Sequence, residues 1–386
     1  MNLPLHPHEL FILLFLLFGL VTALANYLTI RRFDHYPAPD RFPTVSVLVP
    51  ARNEAANIEA CVSSLLTQDY PDFEVIVLDD HSTDDTPYIL EKLARNSSRL
   101  RVLNGAPLPD GWLGKHWACH QLYQASRGEL LLFTDADTRH APDMLRTSVS
   151  ALLAERADLV TAFPQEKVVT WGEKLIVPFM GFGILTFLPL ALVQKLRWKA
   201  LSVTIGQFML FRREAYERIG GFEAVRSEIV DDMSLGRNII AAGGQWRFLD
   251  GTRHVSCRMY HGFWEAVNGF GKSVFAVFDY RILPYLVGWL IVSMAFLEPP
   301  VALISRWLGY PLSIISPETA SLAVALSLFL WSLAYRRFKF PPYLVLLYPL
   351  TMFLFLLVAL RSFVQTASGT ATWKDRVLER PALRWL

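Results

Sequence analysis

Hydrophobic positions are unevenly spread along the chain, and their spacing changes twice. Leu10 to Ile30 is an uninterrupted, mainly apolar run. At 1.5 Å per residue it is long enough to cross the ~30 Å hydrocarbon core of a bilayer. No Lys or Arg precedes it, and Arg31 and Arg32 follow directly. Residues 1–33 therefore read as an uncleaved anchor with its C-terminal end in the cytoplasm. From Thr44 short apolar runs alternate with amphipathic stretches. Thr44–Val49, Phe73–Leu78, Leu100–Leu103 and Glu129–Phe133 predict strands. Ile58, Val62, Leu65 and Leu66 fall at helical spacing, and Tyr88–Leu93 and Trp117–Tyr123 sit in further helices. This alternation predicts an α/β fold with a mostly parallel sheet, whose ligands bind beyond the carboxyl ends of the strands.

After Arg281 the spacing changes again. Apolar stretches at about 282–305, 319–335 and 343–363 predict about three C-terminal transmembrane helices within 281–365. Arg336, Arg337 and Lys339 mark a cytoplasmic loop between two of them, and residues 366–386 form a basic tail with Lys374, Arg376, Arg380 and Arg384. Three spans after an outside-in anchor would place that basic tail outside, so one segment reads as re-entrant, broken at Glu298-Pro299-Pro300. A cytoplasmic domain is expected over residues 40–280. Its apolar segment 175–194, interrupted by Pro178, Gly181, Gly183 and Pro189, is expected to lie at the membrane interface or line an acceptor tunnel.

Composition sharpens this picture. Hydrophobic residues make up 53% of the 386 residues and charged ones 19%, too apolar for an ordinary soluble domain. The net charge of +2 comes from dispersed Lys and Arg rather than a basic stripe, which argues against nucleic acid as a partner. Cys61, Cys119 and Cys257 show no paired spacing, so neither a disulfide framework nor a zinc site is expected.

The candidate chemistry collects at the expected strand ends. Asp135-Ala136-Asp137 follows the fourth strand. Two carboxylates spaced i, i+2 there can converge on Mg²⁺ or Mn²⁺, hard ions that also take diphosphate oxygens. Asp79-Asp80 ends the second strand, and either can accept hydrogen bonds from a base or ribose. Ser82 or Thr83 is the expected cap of the helix that follows. Pro50, Arg52 and Glu54, in Pro50-Ala51-Arg52-Asn53-Glu54, end the first strand, where the backbone and Arg52 can meet a nucleotide while Glu54 favours the helix start. Asp231 and Asp232 open an amphipathic helix with Leu235, Ile239 and Ile240. A carboxylate there is suited to take a proton, and repulsion between two adjacent acids raises the pKa of one of them. Lys115 near a helix start can meet a phosphate.

These sites, in this order, resemble the nucleotide-sugar-binding half of family 2 glycosyltransferases. The resemblance covers about residues 44–275, and the apolar flanks match the membrane-bound branch. It implies a GT-A fold, with Asp79 or Asp80 on the uracil or ribose of a UDP-sugar, and Asp135 and Asp137 on the metal. Glu228-Ile229-Val230-Asp231-Asp232-Met233-Ser234-Leu235-Gly236 is similar to the family's E-D-x-x-L-G stretch, which makes Asp232 the general base and Asp231 its supporting acid. Arg258-Met259-Tyr260-His261-Gly262-Phe263-Trp264 matches the family's (Q/R)-x-x-R-W segment in part. His261 stands in place of the second Arg and Trp264 is displaced, a departure that implies single-sugar transfer. Arg258 is expected to face the diphosphate, and His261 and Trp264 the acceptor. Gly111-Trp112-Leu113-Gly114-Lys115-His116-Trp117-Ala118 is similar to a stretch in bacterial carotenoid and hopanoid glycosyltransferases, implying glucose transfer from UDP-glucose to a carotenoid or another membrane lipid. A bacterial inner-membrane protein is the expectation. The alternatives are a lipid acceptor such as ceramide, diacylglycerol or polyprenyl phosphate, or a transporter or scaffold that only binds nucleotide.

Overall fold

The computed structural model describes residues 6–370, 372–373, 376–377 and 382–386, so Lys374 and Arg380 of the expected tail lie outside the described residues. It divides into a sheet unit, Ile30–Lys167 with Leu190–Met259, and a helical unit, Met1–Thr29, Val168–Pro189 and Tyr260–Leu386.

The sheet unit is built on ten strands: β1 Val45–Ala51, β2 Phe73–Asp79, β3 Leu100–Asn104, β4 Leu130–Phe133, β5 Thr138–His140, β6 Leu159–Phe163, β7 Gln165–Glu166, β8 Met209–Arg212, β9 Trp246–Asp250 and β10 Val255–Cys257. Seven form the main sheet in the order β3-β2-β1-β4-β8-β6-β9. Only β8 runs against its neighbours, pairing antiparallel with β4 and β6. β1 is the centre of the parallel part, with Val45 opposite Phe73 of β2 and Leu130 of β4. Val45, Val47 and Val49 point to one face, as alternation requires, and pack with Ile58, Val62 and Leu65 of the helix Ile58–Leu66. Each such buried side chain contributes roughly 1.5–3 kcal/mol relative to exposure. The smaller sheet, β5-β10-β7, places Cys257 opposite both Thr138 and Glu166.

The unit begins earlier than the apolar pattern suggests. The Arg31 carbonyl accepts from Asp250 N–H at 2.9 Å, Arg32 pairs with Asp250 at 3.2 Å, and Phe33 is buried in the core. At β1 and β2 the strands run on through Ala51 and Asp79, so the polar clusters begin on the strands themselves.

In the helical unit, Pro7–Thr29, Pro317–Phe338 and Pro342–Ser368 are long and apolar enough to cross a membrane. Ile282–Phe296 and Glu298–Trp307 form a pair bent by 42°, and the break, at Leu297, immediately precedes Glu298-Pro299-Pro300. The segment 175–194 is divided between the units, Val168–Pro189 lying with the helices. Asn26 holds it there by donating to the Leu185 and Leu188 carbonyls at 2.9 and 2.6 Å, and Phe182 stacks on Trp331 at 3.9 Å.

Candidate active site

The loops after β1 and β2 are tied to each other. Asp80 N–H donates to the Ala51 carbonyl at 2.8 Å, and Arg52 Nη1 reaches the Asp80 carbonyl at 3.1 Å and its Oδ2 at 3.4 Å. Asn53 adopts φ 53°, a left-handed conformation that Asn tolerates better than most residues. Its N–H donates to Ser82 Oγ at 2.9 Å, and its Oδ1 accepts from Thr83 N–H at 2.8 Å. Glu54 N–H donates to Thr86 Oγ1 and Ala55 N–H to Asp84 Oδ2. The expected capping role of Ser82 or Thr83 is therefore corrected. The helix Thr86–Ala94 starts later, with Asp85 at its cap, because the polar side chains before it serve the loop after β1 instead. Glu54 likewise lies ahead of the helix Ile58–Leu66, whose first residue donates to its carbonyl. This bracing fixes Asp79 and Asp80, both buried, beside Ala51. Asp79 Oδ1 is withdrawn from water without a hydrogen-bond partner, a position that a ligand's donor would satisfy.

Asp135-Ala136-Asp137 turns between β4 and β5. Thr134 Oγ1 donates to the Gln207 carbonyl and Thr138 Oγ1 to the Asp135 carbonyl, each at 2.7 Å, so the turn is pinned at both ends. Lys115 Nζ lies 2.6 Å from Asp135 Oδ1. Burial pulls this ammonium's pKa down, but Asp135 and Asp231 outweigh it and hold it well above the usual lysine value. Burial, then the Asp135 charge, pushes the Asp137 carboxyl up to about 7, against the Cys257 thiol that hydrogen-bonds to it. Glu166, opposite Cys257, is buried with neither carboxyl oxygen hydrogen-bonded, and burial followed by Asp137 and Asp135 pushes it well above its usual range.

This corner fits a divalent ion. It holds hard oxygen donors, and Asp137 Oδ1 is buried without a hydrogen-bond partner. Among the described residues no three His, Cys, Asp or Glu side chains form a ready cage. Asp135 and Asp137 would therefore supply only part of a coordination shell that diphosphate and water complete.

Asp231 and Asp232 are the first two residues of the helix Asp231–Ala241, where the dipole favours acids. Asp232 Oδ2 accepts from Gly206 N–H at 2.9 Å and its Oδ1 from Met233 N–H at 2.7 Å. Burial and then Asp231 push its carboxyl up to about 7, with the two amides and Lys115 opposing. Lys115 and Asp232 converge on one point: a Cβ on Gly206 would lie 3.7 Å from Lys115 Nζ and 3.4 Å from Asp232 Oδ2. Asp231 Oδ1 stands 3.6 Å from His116 Nε2, and His116 Nδ1 donates to the Arg226 carbonyl at 3.0 Å.

The structure thus brings together Asp135, Lys115, Asp231 and Asp232, sets Asp137 beside Asp135, and places Asp79 and Asp80 at the end of β2, separated from β4 by β1. Arg258 directly follows β10 and Cys257. His261 and Trp264 belong to the helical unit, where His261 N–H donates to Glu265 at 2.8 Å and Trp264 is exposed. Sequence reasoning missed Glu166, His116, Cys257 and Gly206. Glu166 was findable, since an acid so soon after the apolar run Leu159–Phe163 repeats the pattern of Asp79 and Asp135.

The sheet order and the acids at its strand ends define a GT-A type α/β domain. Residues 46–220 match the family model described as Glycosyl transferase family 2. It is 32% identical over 229 residues to a β-monoglucosyldiacylglycerol synthase of Nostoc sp., covering 56% of this chain and 46% of that one. It is 24% identical over 284 residues to a 4,4'-diaponeurosporenoate glycosyltransferase of Staphylococcus haemolyticus, covering 71% and 73%. The chain spans about half the length of the first of these relatives. Among solved structures, the mannosyltransferase PcManGT of Pyrobaculum calidifontis, in complex with GDP-Man and Mn²⁺, has the same fold, with a TM-score of 0.55 and 21% identity over 96% of this chain and 100% of that one.

Proposed function

We propose that this protein is a membrane-bound, inverting glycosyltransferase that moves one sugar, glucose from UDP-glucose, to the hydroxyl of a membrane lipid, a carotenoid first. The observation that carries this reading is the convergence of Asp135 and Asp232 on Lys115, with Asp137 beside them and Asp79 at the end of β2 in the same sheet.

In this reading Asp79 and Asp80 hold the nucleoside, with Arg52 fixing Asp80, while Lys115 and Arg258 face the diphosphate. Asp135 and Asp137 hold Mg²⁺ or Mn²⁺, which when bound neutralises charge on the departing diphosphate. Asp232 takes the proton of the acceptor hydroxyl as its oxygen bonds to the anomeric carbon. The bond from that carbon to the diphosphate breaks, UDP leaves with the electron pair, and the configuration inverts. A carboxyl poised near 7 suits a base at neutral pH. The three long apolar helices support a membrane site for the acceptor, with the sheet unit on the cytoplasmic side and His261 and Trp264 toward the acceptor.

The diaponeurosporenoate-named relative, similar over nearly three quarters of its length, supports a carotenoid-type acceptor. Diacylglycerol is the second reading, favoured by the higher identity to the diacylglycerol-named relative. Membranes containing the full chain, given UDP-glucose with a carotenoid alcohol or diacylglycerol and analysed by mass spectrometry, separate them. A hexosylated carotenoid supports the first and hexosyl-diacylglycerol the second. Neither product with any UDP-hexose sinks both.

A further inference from the structure

We propose that Lys115 is a resident counter-cation for Asp135 that a divalent metal must displace, so that metal binds together with the nucleotide diphosphate rather than ahead of it. This rests on assigning Asp135 and Asp137 to the metal.

The ammonium of Lys115 stands 2.6 Å from Asp135 Oδ1. Ammonium and a divalent ion compete for the same hard oxygen, and each repels the other at that range. The lysine is anchored in the first turn of the helix Gly114–Ala125, the end where the dipole disfavours a cation. The neighbouring acids therefore hold it in place. Asp135 is in contact with it, and Asp232, with Asp231 before it, lies near the same point at Gly206.

Lys115 thus has a second anionic place to go when it leaves Asp135, but that move presses a positive charge toward Asp232. A metal arriving alone gains Asp135 only by forcing this change, and it faces the displaced ammonium. A diphosphate arriving with the metal brings negative charge that takes up both cations. Lys115 then exchanges a carboxylate for a phosphate oxygen, an exchange a flexible lysine stem permits. His116 stands 3.6 Å from Asp231 and helps fix that carboxylate.

The test is Mn²⁺ binding to the full chain in detergent, read from the electron paramagnetic resonance of free Mn²⁺, with and without UDP. Wild type, Lys115→Met, Lys115→Gln, Lys115→Arg and Asp137→Asn are compared, with thermal melting as the check on folding. Wild type should bind Mn²⁺ weakly alone and much more tightly with UDP. Lys115→Met and Lys115→Gln should bind Mn²⁺ alone about tenfold tighter, as expected on removing one close like charge, with a smaller gain from UDP. Lys115→Arg, which keeps the charge, should follow wild type. If the neutral variants bind Mn²⁺ alone no better than wild type while Asp137→Asn abolishes binding, the displacement is wrong and the metal site stands. If Asp137→Asn binds Mn²⁺ as wild type does, the metal assignment itself fails and the displacement falls with it.

Discussion

Asp232 is held by two backbone amides and surrounded by charge, and its behaviour follows from that setting. Only its ionised form can take a proton, so kcat should rise with pH through about 7. Asp231→Asn removes the adjacent negative charge, and the midpoint of that rise should move to lower pH. An unmoved midpoint would separate the two acids. Asp232→Asn should lower turnover by about 10²–10⁴-fold while leaving UDP binding within a factor of about two, as read by calorimetry. Equal loss of UDP binding would remove it as the base. The same raised pKa has a stability consequence. The folded state binds this proton up to about 7, whereas an ordinary unfolded carboxyl releases it near 4. Its favourable contribution is present below about 4 and is lost as pH rises through about 7. Asp232→Asn should therefore gain in Tm relative to wild type over that interval. A constant difference would show that the group is not perturbed. Asp79, Asp135, Asp137 and Asp232 were legible because each stands at a strand end or helix start, a feature of local sequence. His116 was not picked out, because what gives it meaning is distant: Asp231 and the Arg226 carbonyl.

At the scale of elements, the helix Asp231–Ala241 presents Asp232 only because it can approach the chain before Gly206. Gly236 makes that approach possible. A Cβ there would overlap Thr204 Oγ1, far inside van der Waals contact. Gly236→Ala should destabilise the sheet unit by about 1–3 kcal/mol, visible as a lower Tm, and Thr204→Ala in the same chain should restore much of the loss. No loss from Gly236→Ala would mean the helix is free to shift. The E-D-x-x-L-G resemblance contained that glycine, and the close approach supplies its physical reason. β1 and β2 were legible from their β-branched apolar runs, and β3 and β4 from short apolar runs alone. β8 was not, since Met209–Arg212 is one short strand inserted antiparallel between β4 and β6, and pairing direction leaves little mark on so few residues. The capping expectation for Ser82 and Thr83 failed for a related reason. A hydroxyl before a helix reads the same whether it caps that helix or braces another loop.

For the whole molecule, the long apolar runs were the plainest signal, and Pro7–Thr29, Pro317–Phe338 and Pro342–Ser368 carry it into the structure. The full chain should sediment with membranes and resist alkaline extraction. Release by carbonate would contradict the membrane-bound reading. The apolar segment 175–194 was harder to place, because its proline and glycine breaks fit an interfacial segment as well as the short packed helices it forms against Asn26 and Trp331. The central claim joins the acids of one sheet unit to sugar transfer in such a membrane. It is tested most directly by transfer of radiolabelled sugar from UDP-glucose to extractable lipid, in membranes containing the full chain, with and without EDTA. Labelled lipid should form, vanish with EDTA, return with excess Mn²⁺ or Mg²⁺, and be absent with Asp232→Asn. Labelled lipid that persists in EDTA, or that Asp232→Asn forms at the wild-type rate, would contradict the account.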